Sequence, residues 1–342
     1  MRKRPPKFAW FVASACLFAV ALLLSGCKRG RHGEQEFAYV SSAQAVLRDH
    51  LAAVYEKSGV VKNGERVEVL ERERRFARVR TSSGSEGWVE QRNLVTQDVY
   101  EQFQKLARDE QKSPVQAAGI THNESNLHVT PGRDTDHLYQ LSEGSKLSLL
   151  RRASAEKTTG AASAKPGATK SAKTAAAPLE DWWLVRDSQQ HVGWILSRMV
   201  DLDVPIEIAQ YAEGQRMVAS FVLNQVSDGD KKISQYLVLF TQPKDGMPFD
   251  FDQVRVFTWN VRRHRYETAY RERKLNGILP VRVSQESFDK EGTLPVFVVH
   301  VKDDAGNITD RKYKLNTPIV RRVLAPGEQK EAPQQRAHGH HS

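Results

Sequence analysis

Short runs in which apolar and polar residues alternate dominate the chain from residue 36 to residue 202. Val67 and Val69 alternate with polar neighbours in one run, and Leu147 and Leu149 do so in another. A period of two places successive side chains on opposite faces of a β-strand. The pattern therefore predicts short antiparallel strands that form small barrels.

From about residue 205 the β-like runs become longer. They are Met217 to Leu223, Tyr236 to Phe240, Val254 to Trp259, Tyr266 to Tyr270, Ile278 to Val283 and Val296 to Val301. Turn signals at Asp228-Gly229, Asn276-Gly277 and 304–307 separate several of them. We expect residues 205–325 to form one antiparallel β domain of six to eight strands, either a sandwich or a curled sheet. A polar, disordered tail follows at 326–342.

A helical period interrupts the strand pattern once. Val99, Phe103 and Leu106 are spaced by four and three residues, and Pro114 follows them. This spacing predicts an amphipathic helix over 97–112, within a connector of residues 97–118. We expect it to pack on a barrel, with partner binding as the alternative.

The strand-rich region contains an internal repeat. Residues 46–70 match residues 126–150 at an offset of 80, and residues 76–94 match residues 182–200 at an offset of 106. The increase of 26 requires an insertion, which we place at 151–178. This segment is basic and rich in Ala, Ser, Thr, Lys and Gly, so it is expected to be disordered. A surface insertion of this length costs little loop-closure entropy.

The order of elements within each copy resembles the bacterial SH3-like domain. The elements are a glycine before an apolar alternation, an aromatic-x-x-Val strand, Gly-Trp-Val or Gly-Trp-Ile, and an apolar closing residue. The first copy spans residues 36–96 and the second spans residues 120–202. The resemblance implies a mainly β fold, two SH3-like barrels joined by a short helix, and modules that bind cell-wall peptides or proteins.

Aromatic residues are the candidate binding groups of such modules. We take Tyr39, Tyr55, Tyr139 and Trp183 as candidate ligand-binding residues. Trp182 and Trp183 are adjacent, so on a strand they point to opposite faces. From the match of Trp182 with Phe76, we expect Trp182 to face inward and Trp183 to face the surface.

The N-terminus has the layout of an export signal: a basic start followed by a charge-free apolar run at 8–24. It ends in Leu24-Ser25-Gly26-Cys27, which resembles the lipobox of bacterial lipoproteins. The resemblance implies cleavage between Gly26 and Cys27 and acylation of Cys27, which would anchor the exported protein on a membrane. Lys28, rather than Asp, follows the cysteine, which favours the outer membrane facing the periplasm if the cell has two membranes. A single transmembrane helix or a plain signal peptide is the alternative.

The net charge of +10 does not predict a nucleic-acid-binding surface. Four positive charges lie in residues 2–7 and a net five lie in residues 151–178, so the remaining body is close to neutral. Binding to DNA or RNA depends on neutralising phosphates, so we expect no nucleic-acid partner. The basic insertion could instead be attracted to anionic lipid or polymer.

The motifs of common enzymes are absent from the sequence, including Gly-x-Ser-x-Gly, the phosphate-binding Gly-x-x-x-x-Gly-Lys loop and His-Glu-x-x-His. Cys16 and Cys27 are the only cysteines, so a lipidated Cys27 leaves no free thiol for catalysis. Asp228-Gly229-Asp230 reads as a turn rather than a calcium loop, and Asp245, Asp250 and Asp252 read as an acidic hairpin loop. We expect no cofactor and no metal.

These observations favour a lipid-anchored, non-catalytic envelope protein that binds a cell-wall peptide or a protein partner. Two alternatives remain. One is a structural subunit of an envelope assembly. The other is an envelope hydrolase with its site in the C-terminal β domain, built from acidic residues with His264 or His300.

Overall fold

The computed structural model describes residues 35–158 and 177–324. These residues form three antiparallel sheets of seven strands each, one after another along the chain. We name them the N-terminal sheet (36–96), the middle sheet (117–202) and the C-terminal sheet (216–323). The predicted signal, its cleavage site at Gly26 and Cys27, and the predicted tail at 326–342 lie outside the described residues.

The N-terminal sheet has the strand order β3-β2-β6-β5-β4-β1-β7. Its strands are β1 Glu36–Val40, β2 Gln44–Arg48, β3 Lys57–Lys62, β4 Arg66–Glu73, β5 Phe76–Thr81, β6 Glu86–Glu90 and β7 Leu94–Thr96. Their inward residues, which include Leu47, Val61, Ala77 and Val79, form a core of small apolar side chains. This alternation of buried and exposed positions is the one that the sequence pattern predicts.

The middle sheet has the same order, β10-β9-β13-β12-β11-β8-β14. Its strands are β8 Ala117–Thr121, β9 Ser125–His128, β10 His137–Leu141, β11 Lys146–Glu156, β12 Leu179–Asp187, β13 Val192–Leu196 and β14 Val200–Leu202. The pairing of β4 with β5 shifts at Leu70, and the pairing of β11 with β12 shifts at the equivalent Leu150. The two halves of the repeat therefore share their strand order and their irregularity.

In both sheets a glycine lies where a neighbouring strand passes unusually close, and we call this feature the glycine crossing. A Cβ atom placed on Gly87 would lie 2.7 Å from Cβ of Leu47, and one placed on Gly193 would lie 2.7 Å from Cβ of Leu127. Both distances are far below van der Waals contact. The glycine of each Gly-Trp pair is therefore required by the close approach of β2 or β9 rather than by a turn.

A helix joins these two sheets. Helix α1, Gln97–Asp109, begins directly after β7 and buries Val99 and Phe103. Leu106 and Ala107 pack on the apolar cluster around Trp182, which belongs to the middle sheet. The predicted helix is present, three residues shorter than its predicted end at 112.

The predicted insertion begins later than expected. Residues 151–156 continue β11 and pair with residues 179–184 of β12, so Arg151 and Arg152 belong to the sheet. Arg151 forms an ion pair with Glu110, and Arg152 forms one with Asp181. Their charges are thus used within the fold, and the prediction that they belong to a free basic segment is wrong. Residues 159–176 lie outside the described residues.

The C-terminal sheet is a meander in which every strand pairs with the next, from β15 to β21. The strands are β15 Arg216–Asp228, β16 Lys231–Thr241, β17 Phe251–Asn260, β18 Arg265–Phe288, β19 Gly292–Lys302, β20 Ile308–Asn316 and β21 Ile319–Val323. A short helix, α2 Ile206–Ala209, precedes it, and the following residues pack on the sheet's outer face around Phe257.

Strand β18 is one strand of 24 residues, although the sequence predicts two strands with a turn at Asn276-Gly277. Its first half pairs with β17 and its second half with β19, and Gly277 takes part in both pairings. A Cβ atom on Gly277 would lie 2.1 Å from the ring of Phe251. The glycine therefore allows the close approach of the Phe251 ring within one long strand, rather than forming a turn.

The predicted fold class, mainly β with a small N-terminal barrel-like sheet, a connecting helix and a C-terminal all-β sheet, is confirmed. No helix in the ranges 35–158 and 177–324 is long and apolar enough to cross a membrane.

Candidate functional site

A cleft of about 550 Å³ lies where the N-terminal sheet, helix α1 and the middle sheet meet. We call it the inter-sheet cleft. Its lining residues are Asn63, Gly64, Tyr100, Phe103, Gln104, Ala107, Tyr139, Gln189, Gln190, His191 and Val192. This volume is within the range of roughly 300–1,000 Å³ that is usual for ligand pockets.

Asn63 joins the two walls of the cleft. It lies in the turn after β3, and its Nδ2 atom donates to the carbonyl oxygen of Leu138 at 2.7 Å. Its Oδ1 atom accepts from the backbone N–H of Gln140 at 3.1 Å. One side chain therefore occupies both a donor and an acceptor of β10 and fixes the distance between the sheets.

Stacked aromatic rings line the cleft and continue behind it. Tyr39 and Tyr100 stack with ring centroids 3.9 Å apart and an interplanar angle of 3°. Tyr139 meets Phe103 edge-to-face at 5.3 Å and stacks on the imidazole of His191 at 3.7 Å. Such pairs hold each ring in a single orientation, so the apolar wall is rigid.

His191 owes its position to Asp187. The Asp187 carboxylate accepts from the backbone N–H of Gln189 and of His191, both at 2.8 Å, and its Oδ2 atom lies 2.9 Å from Nδ1 of His191. The hairpin between β12 and β13 is thereby closed, and the imidazole is laid flat on Tyr139. The His191 side chain keeps 27% of its surface exposed, at the mouth of the cleft.

The residues that line the cleft include no Asp, Glu, Lys or Arg. Burial raises the pKa of Tyr139 to about 12, so its hydroxyl is neutral at physiological pH. Gln104 donates to that hydroxyl at 3.4 Å, and the side chains of Gln189 and Gln190 are exposed at the rim. Amide groups beside a rigid aromatic wall suit a neutral ligand that needs both donors and acceptors, such as a peptide backbone.

Two of the predicted ligand-binding residues lie at the cleft. Both are buried, and they support its wall rather than forming its open surface. Tyr139 is 7% exposed and Tyr39 is 6% exposed, and the Tyr39 hydroxyl donates to Oε1 of Gln97 at 3.0 Å. Tyr139 offers a ring edge to the cleft. Tyr39 lies behind Tyr100 and holds that ring in place.

Tyr55 lies elsewhere, on the outer surface of the N-terminal sheet. Its side chain is 37% exposed, and the guanidinium of Arg48 lies 4.2 Å from its ring centroid. The same guanidinium lies 5.0 Å from the ring of Phe76 and 3.3 Å from Glu90. Tyr55 therefore belongs to a second surface, separate from the cleft.

The assignment of Trp183 to the surface is wrong. Trp182 is 2% exposed and Trp183 is 4% exposed. The inward residue of β5 is Ala77 rather than Phe76, so register places Trp183 inside the middle sheet and Trp182 on its outer face. Helix α1 contributes to covering that outer face, so both rings are buried.

The acidic and histidine residues considered for metal or acid–base chemistry are dispersed. Asp245 pairs with Arg216, and Asp250 accepts from the backbone N–H of Leu279 at 2.8 Å, where burial raises its pKa. Asp228 accepts from Trp259 and from His264 beside the β15–β16 turn. No group of three possible metal ligands occurs within the described ranges.

The sequence patterns missed Tyr100, Gln104 and His191. Tyr100 and Gln104 adjoin Val99 and Phe103, which mark the buried stripe of α1, so the borders of that stripe were the available signal. Nothing local in the sequence distinguishes His191 from an ordinary turn histidine. Its role depends on Asp187, four residues earlier, and on Tyr139 in another strand.

Comparison with protein families finds a bacterial SH3 domain at residues 52–95. This match lies within the N-terminal sheet and begins next to Tyr55. It confirms the resemblance for the first half of the repeat. No curated protein matches the chain.

Solved structures give weak similarities. An NlpC/P60 family protein from Bacillus cereus has a TM-score of 0.24 and 10% identity over 48% of this chain, and the chain covers 56% of that protein's length. NlpC2 and NlpC1 from Trichomonas vaginalis have TM-scores of 0.17 and 0.18 with 10% and 9% identity. They cover 81% and 82% of this chain, and 96% and 93% of their own lengths are matched.

These similarities correct the prediction that the protein is not an enzyme. The three similar structures are named as an NlpC/P60 family protein, NlpC2 and NlpC1. The TM-scores are too low for the likeness to assign an activity or a catalytic residue to this chain.

Proposed function

We propose that the protein binds peptidoglycan at the bacterial cell envelope, and that the inter-sheet cleft holds a wall peptide. The bacterial SH3 match at residues 52–95 supports the class of ligand. The observation that supports the cleft as the binding site is its aromatic wall, where Tyr139 is held between Phe103 and His191.

The chemistry of the cleft fits a peptide with few charges. The rings of Tyr100 and Tyr139 offer apolar contact, and the amides of Gln104, Gln189 and Gln190 can exchange hydrogen bonds with a backbone. Because the walls are fixed by Asn63 and the ring stacks, little ordering is needed on binding.

The middle sheet acts as a second SH3-like domain in this proposal. Its strand order, its pairing irregularity at Leu150 and its glycine crossing at Gly193 match those of the N-terminal sheet. The ligand would therefore lie between two related domains, and neither sheet alone would supply the whole cleft.

The proposal also includes attachment to a membrane through a lipidated Cys27, with the body facing the periplasm in a cell with two membranes. The lipobox resemblance at Leu24-Ser25-Gly26-Cys27 supports this part. Mass spectrometry of the N-terminal peptide from envelope material tests it. An acylated cysteine is expected, and an unmodified thiol would contradict the anchor.

Co-sedimentation of the full chain, purified in detergent, with purified peptidoglycan sacculi tests the binding function. We expect the wild type to pellet with sacculi, and the Tyr100→Ala and His191→Ala variants to bind at least about tenfold more weakly. That is the size expected for losing a ring contact or a hydrogen-bonding group in a binding site.

Arg78→Ala is the matched control, because Arg78 is an exposed residue on the outer face of the N-terminal sheet, away from the cleft. It should bind like the wild type. A wild type that fails to pellet with sacculi would overturn the function. Equal pelleting of all variants would overturn the location.

A further inference from the structure

A second cavity of about 550 Å³ lies between the middle sheet and the C-terminal sheet. We call it the C-terminal cavity. Its floor is apolar and comes from both sheets and from the segment between them. These apolar lining residues are Trp183, Val200, Leu202, Val204, Ala209, Met217 and Val218.

Ion pairs hold the two sides of the cavity together. Arg152 has 8% of its side chain exposed, and its Nη2 atom lies 2.5 Å from Oδ2 of Asp181. Its Nη1 atom donates to the carbonyl oxygen of Asp250 at 2.7 Å, and the backbone N–H of Gly246 donates to Asp181 at 2.9 Å. These bonds link the middle sheet to the loop before β17 and give the cavity a fixed shape.

The other charged groups in the wall are matched, with one exception. Arg216 lies 2.9 Å from Asp245, and Asp201 lies 3.0 Å from His122. Arg198 is exposed at the cavity, and its positive charge contributes to the lowered pKa of Glu180, whose carboxylate is paired with Arg133. Within 35–158 and 177–324 its guanidinium has no direct hydrogen bond or ion pair of its own. It is a cation available to a ligand.

A polar group beside Arg198 also has no partner. The Oγ atom of Ser197 is buried and makes no hydrogen bond to any described residue. Buried hydroxyl groups are normally hydrogen-bonded, so a partner from outside the described chain would relieve the cost of burial. Ser197 and Arg198 are consecutive in the short turn between β13 and β14, and both residues line the same cavity.

Comparison with the equivalent residue of the N-terminal sheet shows how the surroundings of Arg198 differ. Its equivalent in the N-terminal sheet is Arg92, whose Nε atom lies 2.7 Å from Glu90. The residue that corresponds to Glu90 in the middle sheet is Leu196, so the arginine is present in both sheets and the carboxylate in only one. The missing carboxylate is the group that a ligand would supply.

We propose that the C-terminal cavity binds the free C-terminal carboxylate of a short peptide, with Arg198 pairing with the carboxylate, Ser197 donating to it and an aliphatic side chain resting on Trp183. A guanidinium paired with a carboxylate gives a charge-assisted hydrogen bond, which is stronger than a neutral one. The site goes beyond the proposed function, since it uses neither the inter-sheet cleft nor the N-terminal sheet.

The test uses the full chain, immobilised, and an equimolar set of N-acetylated tripeptides that end in Ala, Val or Leu, each as the free acid and as the amide. Retained peptides are identified and quantified by mass spectrometry. We expect retention of the acids over the amides, and a loss of at least about tenfold in Arg198→Ala. Arg198→Lys should restore part of the binding, because it keeps the charge without the planar fork.

Arg92→Ala is the matched control, since it removes the equivalent arginine of the other sheet, and it should retain the acids like the wild type. No retention of acids by the wild type, equal retention of acids and amides, or an unchanged Arg198→Ala would each overturn the site. Circular dichroism confirms that each variant is folded. His191→Ala distinguishes the two proposals, because it should weaken sacculus binding and leave tripeptide binding unchanged.

Discussion

The N-terminal and middle sheets share a strand order but differ on their outer faces. Phe76 and Trp182 are equivalent, as are Arg78 and Leu184, two residues further along the same strands. Arg78 has 46% of its side chain exposed, whereas Leu184 is fully buried. One sheet keeps a face in water, and the other is covered on both faces.

The difference follows from position in the chain. The middle sheet has neighbours on two sides: helix α1 contacts its outer face, and the C-terminal sheet is joined to it through Arg152 and Gln116. Its outer positions must therefore be apolar. Repeated strands acquire different surfaces because their surroundings differ, and both candidate sites lie at the borders of the middle sheet.

Exchanging the outer-face residues should give the largest effect. Leu184→Arg buries a charge without a partner and should lower the free energy of unfolding by about 4 kcal/mol or more. The reciprocal Arg78→Leu removes only exposed ion pairing with Glu86 and should change it by less than about 1 kcal/mol. Urea denaturation measures both. Similar losses in the two variants would contradict the difference in burial.

The crossing glycines should behave alike in both sheets. Gly87→Ala and Gly193→Ala each force a methyl group against a leucine Cβ atom, and each should destabilise its sheet by about 1–3 kcal/mol. Gly87→Ala should be the more costly, because its new Cβ atom would also lie 2.5 Å from Oγ of Ser58 and 3.0 Å from the carbonyl oxygen of Arg48, whereas the further contacts at position 193 are at 3.2 Å. Thermal denaturation gives the ranking, and Gly84→Ala is a surface control for strain at a positive φ without a collision. If Gly193→Ala left the melting temperature unchanged, the close approach at Gly193 and its equivalence to Gly87 would be refuted.

Asn63 should matter because it links the two sheets. Asn63→Ala leaves the N–H of Gln140 and the carbonyl of Leu138 without this partner and should cost about 1–2 kcal/mol. Hydrogen exchange should show faster exchange at Gln140, in β10, with little change at β12. Unchanged protection of Gln140 would mean that the sheets are held together without this side chain.

The smallest expected effect is a pH dependence confined to the middle sheet. Burial, with a smaller contribution from nearby His137, lowers the pKa of His128 below 6.5. The equivalent position in the N-terminal sheet is Arg48 rather than a histidine. Between the folded pKa and 6.5 the unfolded chain binds more protons, so stability falls as the pH falls through this range. Urea midpoints measured from pH 5 to pH 8 should therefore fall less at low pH in His128→Asn than in the wild type.

His122 is a control for which the expected pH dependence of stability has the opposite sign. Its hydrogen bond to Asp201 raises its pKa, so its contribution is present below pH 6.5 and is lost as the pH rises through the raised value. His122→Asn should remove that loss. The two variants shifting in the same direction would contradict these assignments.

Sequence patterns predicted most of the fold because alternation and repetition are local signals. The offsets of 80 and 106 place Gly87 and Gly193, and Leu70 and Leu150, at equivalent points, and the structure has the same features there. Alternation alone does not say which face a second layer will cover. For that reason the sequence pattern places Trp183 at the surface. The repeat register makes it the equivalent of Ala77, which faces inward.

The sites were harder to predict than the fold. Tyr39 and Tyr139 were chosen as aromatic residues, and they support the cleft, but the residues at its mouth come from a helix border and a hairpin. Arg198 lies in the repeated block 182–200, where the offset of 106 matches it with Arg92. Leu196 stands where the N-terminal sheet has Glu90, the ion-pair partner of Arg92. Only the strand pairing shows that this difference removes a carboxylate from the neighbourhood of Arg198.

Site-specific photocrosslinking tests the central claim, that wall peptide lies between the two repeated sheets, most directly. p-Benzoylphenylalanine is placed at Gln190, on the rim of the cleft, or at Arg78, on the outer face of the N-terminal sheet, and the full chain is irradiated with purified peptidoglycan fragments. The account predicts a crosslinked wall peptide at position 190 that disappears in Tyr100→Ala, and none at position 78. Crosslinking at position 78 with none at position 190 would contradict it.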